Sequence, residues 1–183
     1  MQSVTKYAFS SRILHWLIAV LVLTLIPVGW WMASRAEINL FDNLTNTLYA
    51  WHKAIGFTLL CLMLVRVIVK VRNGAPAYPG SLPRWQVVAA KSLHHLLYLL
   101  LVVTPLLGWA GVSAFPALIT LGGYDLPAMP FVPQDQALAT RLFGIHGVFA
   151  ITLGVLVTGH IAAAVIHLAI RKDGVFQRMW FGE

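Results

Sequence analysis

His146 and His160 stand fourteen residues apart in a stretch with no acid, lysine or arginine from Leu142 to Ile170. Fourteen residues are almost four helical turns. Both imidazoles therefore leave one face of a helix, about 21 Å apart along its axis at 1.5 Å per residue. A neutral imidazole in apolar surroundings keeps one nitrogen as an acceptor that needs a partner. Iron is such a partner, and histidine is a common axial ligand of haem. Two rings at this spacing form a ladder for two stacked planar cofactors. His15 and His52 stand near the starts of two other apolar stretches, placed to supply the opposite ligands. Two histidines per iron leave no open coordination position, which suits electron transfer rather than substrate chemistry at the metal.

The elements that must position these rings are membrane helices. The chain of 183 residues is 59% hydrophobic and only 10% charged, whereas a soluble domain carries about 25% charge. Four apolar runs reach the roughly 20 residues needed to cross a bilayer, at about 13–33, 48–69, 92–113 and 142–170. The expected fold is all-α, a single four-helix transmembrane bundle over 1–183. The first run is too long for a signal-peptide core, ends in Trp30 and Trp31, and carries a histidine, so it reads as a retained span. The net charge of +7 does not point to nucleic acid, because the basic residues flank the apolar runs rather than sharing one soluble face. Lys6, Arg12, Arg66, Lys70, Arg72, Arg84, Lys91, Arg171, Lys172 and Arg178 fall on one side of the membrane; Arg35, Lys53 and Arg141 fall on the other with Glu37, Asp42, Asp125 and Asp135. The positive-inside rule then puts both termini in the cytoplasm. The connection 73–83, with three prolines and two glycines, is an irregular cytoplasmic loop. The longer outer connection, about 114–139, carries four prolines among apolar residues and is expected to lie along the outer interface as a lid. The single cysteine, Cys61, allows no intrachain disulfide and reads as a small packing residue of the second span.

Depth sorts the histidines into pairs. His52 and His146 lie near the outer starts of the second and fourth spans and would hold an outer haem. His160 lies deeper on the same face as His146, and His15, at the inner start of the first span, is its opposite ligand. His167 competes for that place. It lies four residues before Arg171, as His15 lies three after Arg12, so depth alone favours it. But the rise from His146 to His167 is about 31 Å, long for electron transfer between haems. Gly29, fourteen residues after His15, falls at the outer level, where a missing side chain would let a porphyrin edge approach; helix packing is its other reading. Arg66, fourteen residues after His52, falls at the inner level and could pair with haem propionates; snorkelling to the interface is its other reading. For any one histidine alone, the plain alternative is a hydrogen-bonded contact between helices.

The chain resembles the prokaryotic cytochrome b561 family, small four-helix di-haem proteins of the bacterial inner membrane. The resemblance rests on His15-Trp16 after a basic amino terminus, His52 with Gly56 and Arg66, His94 with Tyr98 and Pro105, then His146, His160-Ile-Ala-Ala-Ala, His167 and Lys172-Asp173. It implies that His15, His52, His146 and His160 ligate two b-type haems. It implies electron transfer between the periplasmic side and the quinone pool; at least one member oxidises superoxide and reduces ubiquinone. A superoxide:ubiquinone oxidoreductase is therefore an expected activity, with ubiquinone as acceptor. Lys53 and Arg141, near the outer haem, would attract an anionic donor, while Asp125 and Asp135 weaken that field. A quinone site would need an apolar slot by the inner haem with a proton donor at its mouth. His167, on the same face as His160, suits that role, with Lys172 and Asp173 completing a proton path and His94 facing the slot from the third span. His95 has no assigned role.

Two other readings compete. The same ladder would serve a haem b anchor subunit of a periplasmic hydrogenase or dehydrogenase, although the short termini favour a self-contained protein. A cofactor-free transporter or channel would use the histidines as a proton or metal pathway. The sequence has no Cys-x-x-Cys-His motif, so any haem is held without thioether bonds.

Overall fold

The structure, a computed structural model, describes residues 5–80 and 82–182. Four long helices dominate it: α1 (Phe9–Glu37), α2 (Asn43–Asn73), α3 (Arg84–Ala114) and α4 (Gln136–Ile166). No strand occurs among the described residues. α4 runs on through one wider π turn, His167–Arg171. All four helices are long and apolar enough to cross a membrane.

Each helix overruns the apolar run that announced it. A 31-residue helix such as α2 is about 46 Å long, against a hydrocarbon core of about 30 Å. The extra turns extend into the headgroup region, where polar residues can continue a helix that apolar residues began. Polar caps mark two of the ends. Asp42 accepts from the Thr45 backbone N–H at 2.8 Å to start α2, and Asp135 accepts from that of Leu138 at 2.8 Å to start α4. Two residues expected only to add outer negative charge or mark a loop are thus N-caps. Gly74, at φ 67° and ψ -164°, ends α2 in a conformation that only glycine adopts readily.

The bundle is two hairpins, α1 on α2 and α3 on α4, joined chiefly where α2 meets α3; α1 and α4 touch in few places. Ile18, Val22, Leu25, Leu59 and Met63 form one core, and Leu97, Leu100 and Leu153 another. The outside is apolar too. Val148, Ile151 and Val155 on one face of α4 are 62%, 71% and 67% exposed. A helix apolar on every side belongs in lipid. Cys61 corrects the sequence reading: it is exposed rather than packed between helices, because its position on α2 falls on that outward face.

Polar contacts fasten both ends of the bundle. Beyond α4 the chain folds back over the start of α1, ending in a 3-10 turn, Phe176–Arg178. Arg12 Nη1 donates to the Trp180 carbonyl at 3.0 Å. The Trp16 indole donates to the Met179 carbonyl at 2.9 Å. Arg178 is only 5% exposed; its guanidinium donates to the carbonyls of Thr5 (3.2 Å) and Ala77 (2.7 Å), so one side chain ties together the start of the chain, the α2–α3 loop and the final segment. Losing hydrogen bonds made by a charged donor costs about 1.5–3 kcal/mol. Arg178→Ala should lower the melting temperature of the detergent-purified protein and make residues 172–182 several-fold more susceptible to carboxypeptidase. Unchanged digestion would mean that the segment is held by its aromatic contacts alone.

Candidate functional site

α4 contributes one ring to each of two histidine clusters at different depths. In the distal cluster, away from the start of α1, the rings of His52 (α2) and His146 (α4) have centroids 6.2 Å apart and planes at 78°. In the proximal cluster, His15 (α1) and His160 (α4) have centroids 6.1 Å apart and planes at 76°. His94 (α3) joins the proximal cluster, its centroid 5.5 Å from that of His160. Sequence depth had left His160 and His167 in competition. The structure brings His160 to His15, while His167 lies in the π turn and donates from Nδ1 to Asp173 Oδ2 at 2.6 Å.

The distal cluster is shaped by two glycines and a carbonyl. A Cβ at Gly29 would lie 3.1 Å from His52 Cε1, and one at Gly108 would lie 3.1 Å from His146 Cε1. The missing side chain of Gly29 therefore makes room for an imidazole, where the sequence suggested a porphyrin edge. His146 Nδ1 donates to the Thr104 carbonyl at 2.9 Å, which leaves Nε2 with its lone pair. His52 Nδ1 is buried with no partner in the chain. An apolar cleft lined by Thr24, Leu25, Val28, Leu48, Trp51 and Ile55 opens beside it.

The proximal cluster is shaped by cations. Arg66 Nε donates to the Tyr98 hydroxyl at 2.9 Å, and its Nη2 donates to His15 Nδ1 at 3.2 Å. Its Nη1 is buried without a partner. Lys70 Nζ lies 4.2 Å from the centre of the Tyr98 ring. No carboxylate bonds to either cation among the contacts described, so the cluster carries uncompensated positive charge beside its imidazoles.

These clusters fit a haem better than a bare metal ion. A structural zinc takes four protein ligands and a catalytic one three, and no group of three or more His, Cys, Asp or Glu able to hold a metal occurs among the described residues. A porphyrin brings its own four in-plane nitrogens and asks the chain for two axial ones. A metal–imidazole bond of about 2 Å, with the nitrogen roughly 1 Å from its ring centre, separates two axial centroids by about 6 Å. Both observed separations are of that size. His146 also has the outer hydrogen bond usual in a metal-bound histidine, with its second nitrogen donating to a carbonyl.

The remaining expected residues lie apart from the paired rings. Lys53, next to His52, donates from Nζ to the Ala117 carbonyl at 2.8 Å and to that of Ile119. It fastens the 115–135 connection to α2. Trp109 Nε1 donating to the Pro127 carbonyl at 2.7 Å, and the Met129 N–H donating to Ser113 Oγ at 2.9 Å, hold the same connection to α3. Arg141 and Lys172 are exposed, as is His95. Asp173 accepts from both His167 and the Val175 backbone N–H. Sequence reasoning missed Gly108, Thr104 and Lys70. Thr104 acts through its backbone, which no residue type announces. Gly108 stands fourteen residues after His94 on α3, the interval that also relates Gly29 to His15, and that interval is the signal that could have found it.

The chain matches the family described as Prokaryotic cytochrome b561 over residues 6–182. It is 29% identical over 178 residues to cytochrome b561 homolog 2 of Escherichia coli (strain K12), covering 95% of this chain and 90% of the relative. It is 26% identical over 178 residues to cytochrome b561 homolog 1 of the same strain, covering 95% and 96%. It is also 25% identical over 178 residues to the probable superoxide oxidase CybB of Yersinia pestis, covering 95% of each chain.

The Lys53 contacts carry their own test. Lys53→Met should free the 115–127 segment and speed its limited proteolysis several-fold, since charge-assisted bonds of this kind contribute about 1.5–3 kcal/mol. Equal cleavage rates would assign the fastening to Trp109 and Ser113.

Proposed function

Because the chain belongs to the prokaryotic cytochrome b561 family, we propose that its membrane electron transfer runs between two b-type haems, one held by His52 and His146 and the other by His15 and His160. The observation that carries this reading is the pair of 6 Å ring separations, on two levels of one helix. Haem supplies one-electron exchange at iron. The chain's part is to hold the two sites on one rigid rod and keep water out of the space between them. A cofactor-free transporter reading falls away with the family membership.

Arg66 is proposed as the partner of haem propionates. An imidazole that binds iron through Nε2 carries its proton on Nδ1, and a guanidinium cannot donate to an N–H. Ligation by His15 would therefore release Arg66 Nη2, which joins the unpartnered Nη1 to present two donors to a carboxylate. The same release leaves the Tyr98 bond in place.

We place both termini in the cytoplasm, from the charge asymmetry of the connections. The proximal side is then the quinone side. His167 is proposed to deliver a proton there, oriented by Asp173, with His94 and Lys172 completing the slot. On the periplasmic side an anionic one-electron donor is proposed, with superoxide the first choice, in keeping with the printed name of the Yersinia relative. The balanced reaction takes two superoxide ions, one ubiquinone and two protons to two dioxygen molecules and one ubiquinol. Lys53 keeps its charge while donating to carbonyls, so it contributes to steering the anion beside the more exposed Arg141.

Two experiments test this reading. A pyridine haemochrome assay should give two b haems per chain. His52→Ala or His146→Ala should lose the distal haem alone, and His15→Ala or His160→Ala the proximal one. If His167→Ala removed a haem and His160→Ala did not, the proximal assignment would be wrong. Separately, superoxide should reduce the purified protein and ubiquinone should reoxidise it. Arg141→Glu should slow reduction several-fold at low salt, and the difference should fade as the Debye length shortens. His167→Ala should slow reoxidation only. Haem that dithionite reduces and superoxide does not would exclude superoxide and leave a quinone-linked conduit with another donor.

A further inference from the structure

We propose that Gly108 is a positioning residue for the distal site: by leaving the Thr104 carbonyl uncovered it anchors His146 Nδ1–H, fixes the orientation of that ring, and holds the distal site at a lower reduction potential than the proximal one. The proposal rests on the ligand assignment above and concerns what tunes those ligands.

The geometry is local and specific. In an α-helix a side chain lies over the turn preceding its own Cα. The residue at 108 therefore stands over the turn that carries Thr104, one turn earlier on α3. Its Cβ would come within 3.1 Å of His146 Cε1 and 3.2 Å of His146 Nδ1. Contacts that short would push the ring away from the carbonyl it now meets at 2.9 Å. A side chain at 108 therefore makes the His146 ring yield by a few tenths of an ångström, at the atom that carries the hydrogen bond. Pro105 follows Thr104 directly and lies inside α3, which restricts the backbone that carries this carbonyl.

The consequence for iron follows from the partner of each ring. An Nδ1–H donating to a carbonyl makes the imidazole a stronger electron donor and favours the oxidised metal. His52, the other distal ring, has no partner at Nδ1 and adds no opposing pull. At the proximal site Arg66 meets the His15 ring itself and Lys70 lies over Tyr98, whereas Lys53 beside His52 is turned to the carbonyls of Ala117 and Ile119. Positive charge favours the reduced metal, and more of it faces the proximal rings. The two sites are therefore unequal in a direction that draws electrons from the distal to the proximal site.

The test uses the purified full-length protein with its haems. Spectroelectrochemical titration resolves the two midpoints, and low-spin ferric electron paramagnetic resonance reports the ligand rings of each haem. Wild type should show the lower midpoint at the site lost in His52→Ala. Gly108→Ala should keep two haems, shift the distal midpoint upward and change the distal resonance, leaving the proximal site unchanged. An unchanged distal midpoint and resonance in a two-haem Gly108→Ala protein overturns the proposal, as does a wild-type order with the distal site higher. Should the variant lose its distal haem, the arbiter is nitrogen-15 histidine NMR of the reduced, diamagnetic wild type. A slowly exchanging His146 Nδ1 proton supports the anchor, and its absence overturns it. A wild-type protein with fewer than two haems would instead refute the ligand assignment.

Discussion

A buried imidazole has two nitrogens, and a bundle of leucine, valine and alanine offers almost nothing to satisfy either. Much of the structure is arranged around that shortage. Among the described residues the acids, apart from Glu37 at the end of α1, fall outside the four helices. The rings must therefore find a backbone carbonyl, a guanidinium or each other. His146 reaches a carbonyl only because α3 presents a glycine there. His52 has room because α1 presents another. His15 meets Arg66. Close approach within each hairpin, the use of glycine at two helix contacts and the clustering of cations at one depth all follow from four rings that apolar packing alone could not accommodate.

The ends of the bundle obey the complementary rule. Irregular backbone is tolerated where water or protein can satisfy it and not where only lipid is present. The irregular segments at the two ends of the bundle are accordingly fixed by long polar side chains reaching to carbonyls: Lys53 and Trp109 at one end, Trp16, Arg12 and Arg178 at the other. These residues look like interchangeable interface anchors when read as composition. Each has a particular backbone oxygen to hold.

The four spans were legible because lipid demands a long apolar run and little else imitates one. Their ends were not, since helices continue through polar residues once water is near; α3 begins at Arg84, well before the apolar run at 92. On α4 the fourteen-residue interval identified His146 and His160 as two rings on one face, because helical periodicity is a property of one segment. Which rings face them across the bundle depends on the packing of other helices. There sequence depth favours His167 and only the rise along α4 favours His160, while His94 is expected to face the slot beside the inner site without a ring to meet. Gly29 was noticed through the same interval, but for a different neighbour. The Thr104 carbonyl left no trace in the sequence, because every residue has one.

The bonds from the last turn to the first helix span most of the chain: Arg12 meets Trp180 across 168 positions, and Trp16 meets Met179 across 163. During synthesis α1 precedes α2, whose Arg66 and Asn73 reach His15 and Ser10 early, while the segment that meets Arg12 and Trp16 comes last. His160 is likewise among the late residues. The proximal cluster is therefore completed only when α4 brings His160 to His15 and His94. The two ends of the chain thus close one end of the bundle together, and the last residues act as a clasp on the first helix rather than as a loose tail.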